Sequence, residues 1–181
     1  MKLTAILSIL SAFIVSTSAI AAEFPWAGVG TAQVEVPEGW TAETGNGKPV
    51  GIYIKATAPN GTKAVLQISL MELPRPIPDK AALEQIVNAG SAQVLPSSVE
   101  GKADIKLLEI DGGFGMYVQF TDKSLVGKEV PAAESRVMRT AYLSLEPKFL
   151  VVATILFDDP TQAEVEQMMK AVKSIKIKTT P

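Results

Sequence analysis

The sequence predicts an α+β fold: a single α/β/α sandwich with a mostly antiparallel sheet covered by helices on both faces. Three observations carry this. Residues 50–72, 103–122 and 136–157 each read as two strands around a turn, and hairpins make antiparallel sheets. Two helical patterns lie far apart in the chain, one for each face. The last long strand, residues 149–157, is apolar at nearly every position, and a strand without a polar face is buried on both sides.

The elements follow in order. Residues 22–31 form a short lead-in containing Phe24, Pro25 and Trp26. Residues 33–36 are a brief strand closed by Pro37, Glu38, Gly39 and Trp40, and residues 41–49 are a polar loop. Residues 50–56 and 64–72 pair as a hairpin about Pro59, Asn60 and Gly61. Leu66, Ile68 and Leu70 share one face, with Val65, Gln67 and Ser69 on the other. The run Pro74-Arg75-Pro76-Ile77-Pro78 cannot be helix interior or central strand, because each proline lacks a donor. Asp79 then caps a helix that sets Leu83, Ile86, Val87 and Gly90 on one face.

Residues 103–110 and 114–122 form the second hairpin around Asp111, Gly112 and Gly113. Phe114, Met116, Val118 and Phe120 alternate there with Gly115, Tyr117, Gln119 and Thr121. After a loop at residues 123–134, residues 136–145 and 149–157 turn at Glu146, Pro147 and Lys148. Asp159 caps the final helix with Pro160 at its first position, and Val165, Met168, Met169 and Val172 make its packed face. Ile175 and Ile177 sit in a tail suited to an edge strand.

The N-terminus names a compartment. Lys2, the apolar stretch 3–15 and Ala19-Ile20-Ala21 have the layout of a secretory signal peptide, residues 1–21, cleaved after Ala21. The mature chain, residues 22–181, is then one domain in the periplasm or secreted. The apolar stretch is too short to span a membrane, so no transmembrane segment is expected. Losing Lys2 leaves 16 basic and 19 acidic residues, a net charge of −3. This mildly acidic balance argues against a nucleic-acid partner, which demands a basic face.

The chain has no cysteine, so it has no disulfide and no lipobox thiol for a lipid anchor. It has no histidine, which removes Ser-His-Asp and Cys-His nucleophiles and His-ligated zinc. Asn60-Gly61-Thr62 matches a glycosylation pattern and reads as a turn. No cofactor or metal is expected: Asp158 and Asp159 lack the alternating spacing of a calcium loop and suit a helix N-terminus. Asp104, Glu109 and Asp111 are unmatched as a carboxylate pair. Lys123 with Ser124, and Ser98 with Lys102, are the Ser-Lys combinations that composition permits, and neither has S-x-x-K spacing.

Strand 33–36 ending in Pro37-Glu38-Gly39-Trp40 and the helix around residues 83–87 resemble the Mog/PsbP-like family, in particular its exported bacterial DcrB-type branch. So do the unit from Leu108 to Gly113 leading into residues 114–120, and the closing strand, helix and Ser174-Ile175-Lys176-Ile177. The resemblance covers nearly the whole mature chain, as topology and punctuation. It implies an accessory or assembly role without catalysis, and the partner expected is another envelope protein. The chain departs from the family in lacking the histidines of photosystem members and the lipidated cysteine of exported relatives. Trp26, Trp40, Tyr53, Arg75 and Ile77 are the candidate partner-binding residues, since aromatics and arginine anchor interfaces. A core plug for Trp40 and a plain crossover for the Arg75 loop are the alternatives. A small-ligand or lipid-binding module, with a cavity between sheet and helix, is the second reading. A Ser-Lys or carboxylate hydrolase is the third.

Overall fold

The computed structural model describes residues 20–47, 51–59, 61–145 and 148–180, with side chains throughout except at 20, 46, 47 and 51–53. The leader through residue 19, Asn60 and the Glu146-Pro147 turn lie outside the described residues.

Alternation builds the strands. β1 (Ile20–Trp26), β2 (Gly30–Val36) and β10 (Lys176–Thr179) form a small antiparallel sheet with β2 in the centre. The large sheet has seven strands in the order β3-β4-β5-β9-β8-β7-β6, antiparallel throughout. They are β3 (Thr41–Gly47), β4 (Gly51–Thr57), β5 (Ala64–Glu72), β6 (Lys106–Leu108), β7 (Gly113–Thr121), β8 (Val137–Leu145) and β9 (Phe149–Phe157). In β5, Leu66, Ile68 and Leu70 are buried, while Val65, Gln67 and Ser69 are half-buried on the other face. β9 is the middle strand. Phe149, Val151, Ala153, Ile155 and Phe157 are buried on one side, whereas Val152, Thr154 and Leu156 are only half-buried on the other.

That asymmetry corrects the expected architecture. The molecule is not a sheet covered by helices on both faces. Among the described residues it is mostly β, with ten strands in two antiparallel sheets and two α-helices, α1 (Lys80–Ala92) and α2 (Ala163–Lys173). The reason is width. Seven strands span about 30 Å at 4.7–4.9 Å spacing, and a helix covers about 10 Å of that. α1 packs mainly on β7 and β8, whereas α2 packs on β5, β9 and β2, sharing its face with the small sheet. Phe24, Trp26, Val34 and Val36 of that sheet join Val165, Met168 and Val172 of α2 over Leu66, Ile68, Val151 and Ile155. A separate cluster sits under α1: Leu83 and Val87 against Met116, Val118, Phe120, Tyr142 and Leu150.

Local expectations fare unevenly. Asp79 caps α1, its Oδ1 accepting from the Ala82 N–H at 2.8 Å. The predicted start of the last helix is displaced. α2 begins at Ala163 behind Gln162, and Asp159 Oδ1 accepts instead from the Thr161 N–H (2.8 Å) and hydroxyl (2.7 Å). The carboxylate is spent closing a turn before the helix. The lead-in and the polar loop are in fact β1 and β3, while strand 103–110 shrinks to the three residues of β6.

Candidate functional site

β8 carries one charged residue on its inward row. Val137, Ala141, Leu143 and Leu145 are buried in the α2-side core, and Arg139 shares their parity. It stands in register with Gln119 of β7 and Ile155 of β9. Its half-buried head opens into a cleft whose wall includes α2 rather than into the closed core.

The guanidinium is held on three sides. Its Nε and Nη2 both donate to Gln119 Oε1, at 3.2 and 2.9 Å. Its carbon lies 5.4 Å from the centre of the Tyr117 ring and 5.8 Å from that of Phe157. Both lie within cation–π range, which favours a planar, weakly hydrated cation over a lysine. Among the described residues no carboxylate forms an ion pair with it.

Two hollows meet at Tyr117 and Arg139. The larger, about 360 Å³, lies between β6 and α2, lined by Leu107, Glu109, Glu166, Met169 and Lys173 among others. The smaller, about 150 Å³, is lined by Glu100, Asp104, Lys106 and Gln119 besides the shared pair. The edge of the sheet explains the smaller one. Val99 N–H donates to Thr121 O at 2.9 Å, and Lys106 stands opposite Tyr117, so residues 100–105 run beside only 118–120 and bow outward. The cleft gathers side chains of both charges, Arg139, Lys106 and Lys173 with Glu100, Asp104, Glu109 and Glu166.

A third hollow, about 230 Å³, opens on the α1 face over Phe120, Met138 and Leu156, rimmed by Ser98, Asp122 and Arg136. It is smaller than the 300 Å³ or so at which ordinary ligand pockets begin.

The five residues expected at a partner surface do not converge. Trp26 is 5 % exposed and its ring lies 5.5 Å from that of Phe149, in the core. Trp40 is half-buried against the same cluster. Ile77 packs into the other cluster, under α1, while Arg75 is exposed on its proline-rich loop. Tyr53 belongs to β4, and its side chain lies outside the described residues. The Ser-Lys combinations are engaged in structure. Lys123 Nζ donates to Pro96 O, Ser98 Oγ donates to Leu95 O at 3.2 Å, and the Ser124 N–H donates to Asp122 Oδ1 at 2.7 Å. Asp158 accepts from the Arg136 N–H at 3.1 Å and pairs with Lys63 at 3.6 Å. No group of three metal-ligating side chains gathers among the described residues, and no helix among them is long and apolar enough to cross a membrane.

Arg139 was missed by sequence reasoning although a signal existed. An arginine on the parity of Val137, Ala141 and Leu143 breaks the apolar row of a strand that is otherwise core-facing.

No family model matches the chain, and no curated protein matches it in sequence. Among solved structures it is similar to the solution structure of cyanobacterial PsbP (CyanoP) from Synechocystis sp. PCC 6803. The TM-score is 0.54 at 13% identity, covering 88% of this chain and 94% of that one. At that identity the likeness carries fold and not activity. With the ten-strand topology above, it establishes that this chain has a PsbP-like fold.

Proposed function

We propose that this protein is a non-catalytic accessory protein of the envelope, of the DcrB-type branch. It is exported through cleavage after Ala21 and binds another envelope protein through the cleft around Arg139. The observation that carries the reading is Arg139 itself: a half-buried guanidinium, oriented by Gln119 and two rings, with no acidic partner among the described residues. A charge held in place this way is costly to desolvate unless something completes it, and a partner's carboxylate does so with directional hydrogen bonds. The family resemblance of the sequence implies an accessory role in place of a catalytic one, and the PsbP-like fold agrees with that resemblance. Occupation of Lys123 Nζ and Ser98 Oγ by backbone carbonyls weighs against a Ser-Lys hydrolase. Cleavage after Ala21 leaves Ala22 to Trp26 of β1 paired with β2, so the small sheet survives processing. Arg75, exposed on its stiff loop, is a second contact point in this reading.

The test is photo-crosslinking in intact cells. A photoreactive residue at position 107, on the cleft rim and 63% exposed in the native leucine, should give one discrete heavier adduct. The same residue at position 126, 52% exposed and away from the cleft, should not. No adduct from position 107, or equal adducts from both, contradicts the proposal. The protein recovered from the periplasmic or secreted fraction should begin at Ala22.

A further inference from the structure

We infer that the smaller hollow captures the free C-terminus of the partner chain. The α-carboxylate bridges the Arg139 guanidinium and the Gln119 backbone N–H, and the last peptide N–H donates to the Gln119 carbonyl. This rests on the partner-binding reading above and specifies what the partner presents.

Backbone parity exposes a missing rung. Along an antiparallel strand the N–H and C=O of one residue point to one edge, and those of the next residue to the other. Just beyond β7 the Asp122 N–H donates to Arg136 O at 2.9 Å, so even-numbered residues of this stretch bond toward β8. The odd-numbered ones face the sheet edge. Thr121 is satisfied there: its carbonyl accepts from the Val99 N–H at 2.9 Å, and its N–H donates to Glu100 Oε2 at 2.9 Å. Tyr117 is paired with Lys106 of β6. Gln119 stands between them and faces the outward bow of residues 100–105. No group among the described residues bonds to its backbone N–H or C=O. A main-chain donor and acceptor left open beside a hollow call for water or a ligand.

The same hollow holds one uncompensated charge. Both oxygens of Glu100 are engaged by Thr121, at 2.9 and 2.8 Å, and Asp104 pairs with Lys106 at 3.6 Å. Arg139 is what remains. It belongs to β8, but its head lies over β7, where Nε and Nη2 bond the side chain of the very residue with the open rung. Nη1 and the second hydrogen of Nη2 are left for a ligand. A carboxylate with a bond of about 2.9 Å at each oxygen bridges donors roughly 7 Å apart, more than the spacing of about 4.8 Å between strands.

The shape of the gap selects a chain end. It is one rung long, closed on one side by Thr121 with Glu100 and on the other by Tyr117 with Lys106. A strand cannot run through it. Its volume, about 150 Å³, is half that at which ordinary ligand pockets begin. A simple carboxylic acid brings the anion without an N–H for the Gln119 carbonyl. A C-terminal residue brings both in one fragment.

The experiment is an NMR titration of the ¹⁵N-labelled mature chain with acetyl-Ala-Ala bearing a free C-terminus, against its C-terminal amide and against acetate. In the free protein the Gln119 amide should exchange with solvent at least about tenfold faster than those of Val118 and Phe120, which bond within the sheet or lie in its core. The free-acid peptide should slow that exchange and shift the Gln119 amide and the Arg139 Nε–H together, to saturation. The amide and acetate should each bind about tenfold more weakly or worse, since each lacks one of the paired contacts. Arg139→Gln should erase the preference for acid over amide. Should that variant lose its native spectrum, the exchange rates and the three ligands decide on the wild-type protein alone. A Gln119 amide as protected as its neighbours in the free protein, equal binding of acid and amide, acetate matching the peptide, or shifts centred elsewhere would each overturn the inference. A silent titration beside a specific adduct from position 107 refutes C-terminal capture and leaves partner binding standing. Failure of both refutes both.

Discussion

Replacing Gly90 by alanine sets two opposed effects against each other. Gly90 lies in the last turns of α1, and a Cβ there would press on the Tyr142 hydroxyl, with ring carbons Cζ and Cε1 at 3.2 and 3.6 Å. Alanine in place of glycine stabilises a helix interior by about 0.8–1.0 kcal/mol. Forcing extra volume into a packed contact costs about 1–3 kcal/mol. Tyr142 is 8% exposed, and burial raises its pKa above the ordinary 10. Its ring belongs to the cluster under α1 and has little room to yield. The net expectation is a loss of about 1 kcal/mol, opposite in sign to the helix preference. The hydroxyl makes no hydrogen bond to the described residues, so Tyr142→Phe removes the closest of these contacts without orphaning a partner and leaves only the tight Cζ contact. In that background Gly90→Ala should become neutral or stabilising, a coupling of about 1–2 kcal/mol. Urea denaturation of the four proteins, followed by tryptophan fluorescence, measures it. A single Gly90→Ala variant about 1 kcal/mol more stable than the parent, with no coupling to Tyr142, would refute the docking of α1 described here.

Other outcomes follow from the same geometry. Gly115→Ala places a Cβ 2.8 Å from Leu143 Cδ2 and 3.2 Å from Leu108 O, so it should cost about 1–3 kcal/mol in urea denaturation and loosen β6 by hydrogen exchange. Asp79→Ala removes the α1 cap and should cost about 1 kcal/mol, read as a lower denaturation midpoint. Hydrogen bonds from Ser124 hold the Asp122 carboxyl below its ordinary 3.8, and hydrogen bonds from Thr161 do the same for Asp159. Each binds fewer protons folded than unfolded, so its contribution is complete above pH 3.8 and is lost as pH falls through the lowered value. Asp159→Asn should therefore flatten the acid limb of the stability profile, and an unchanged limb contradicts the assignment.

What the sequence reveals of this fold is what hydrophobic period reveals. Leu66, Ile68 and Leu70 announce β5, and the unbroken apolar run of Phe149–Phe157 announces the middle strand. Asp79 and the spacing of Leu83 and Val87 announce α1. β3 is hidden because Thr41 to Gly45 are all exposed and offer no inward row; it is an edge strand held through backbone pairing with β4. β1 is hidden because Pro25 and the neighbouring signal pattern mask an alternation that only Phe24 and Trp26 express. These two omissions produced the wrong architecture, since the small sheet takes the place expected of helix cover. Gly115 gives room to Leu143 and Leu108 of the neighbouring strands, which its sequence context does not reveal. The cleft was illegible for a different reason. It depends on the outward bow of residues 100–105 and on α2 being brought beside Tyr117 and Arg139, neither of which is written in a local pattern.

The account's central claim is that a partner completes Arg139. The most direct measurement is native mass spectrometry of the protein drawn gently from its own envelope, as wild type and as Arg139→Gln, with thermal unfolding of both as the control. The account predicts a discrete heavier species containing a second polypeptide for the wild type. It predicts the bare mass of residues 22–181 for the variant, at an unchanged melting temperature. The same heavier species in equal amount from the Arg139→Gln protein would contradict it.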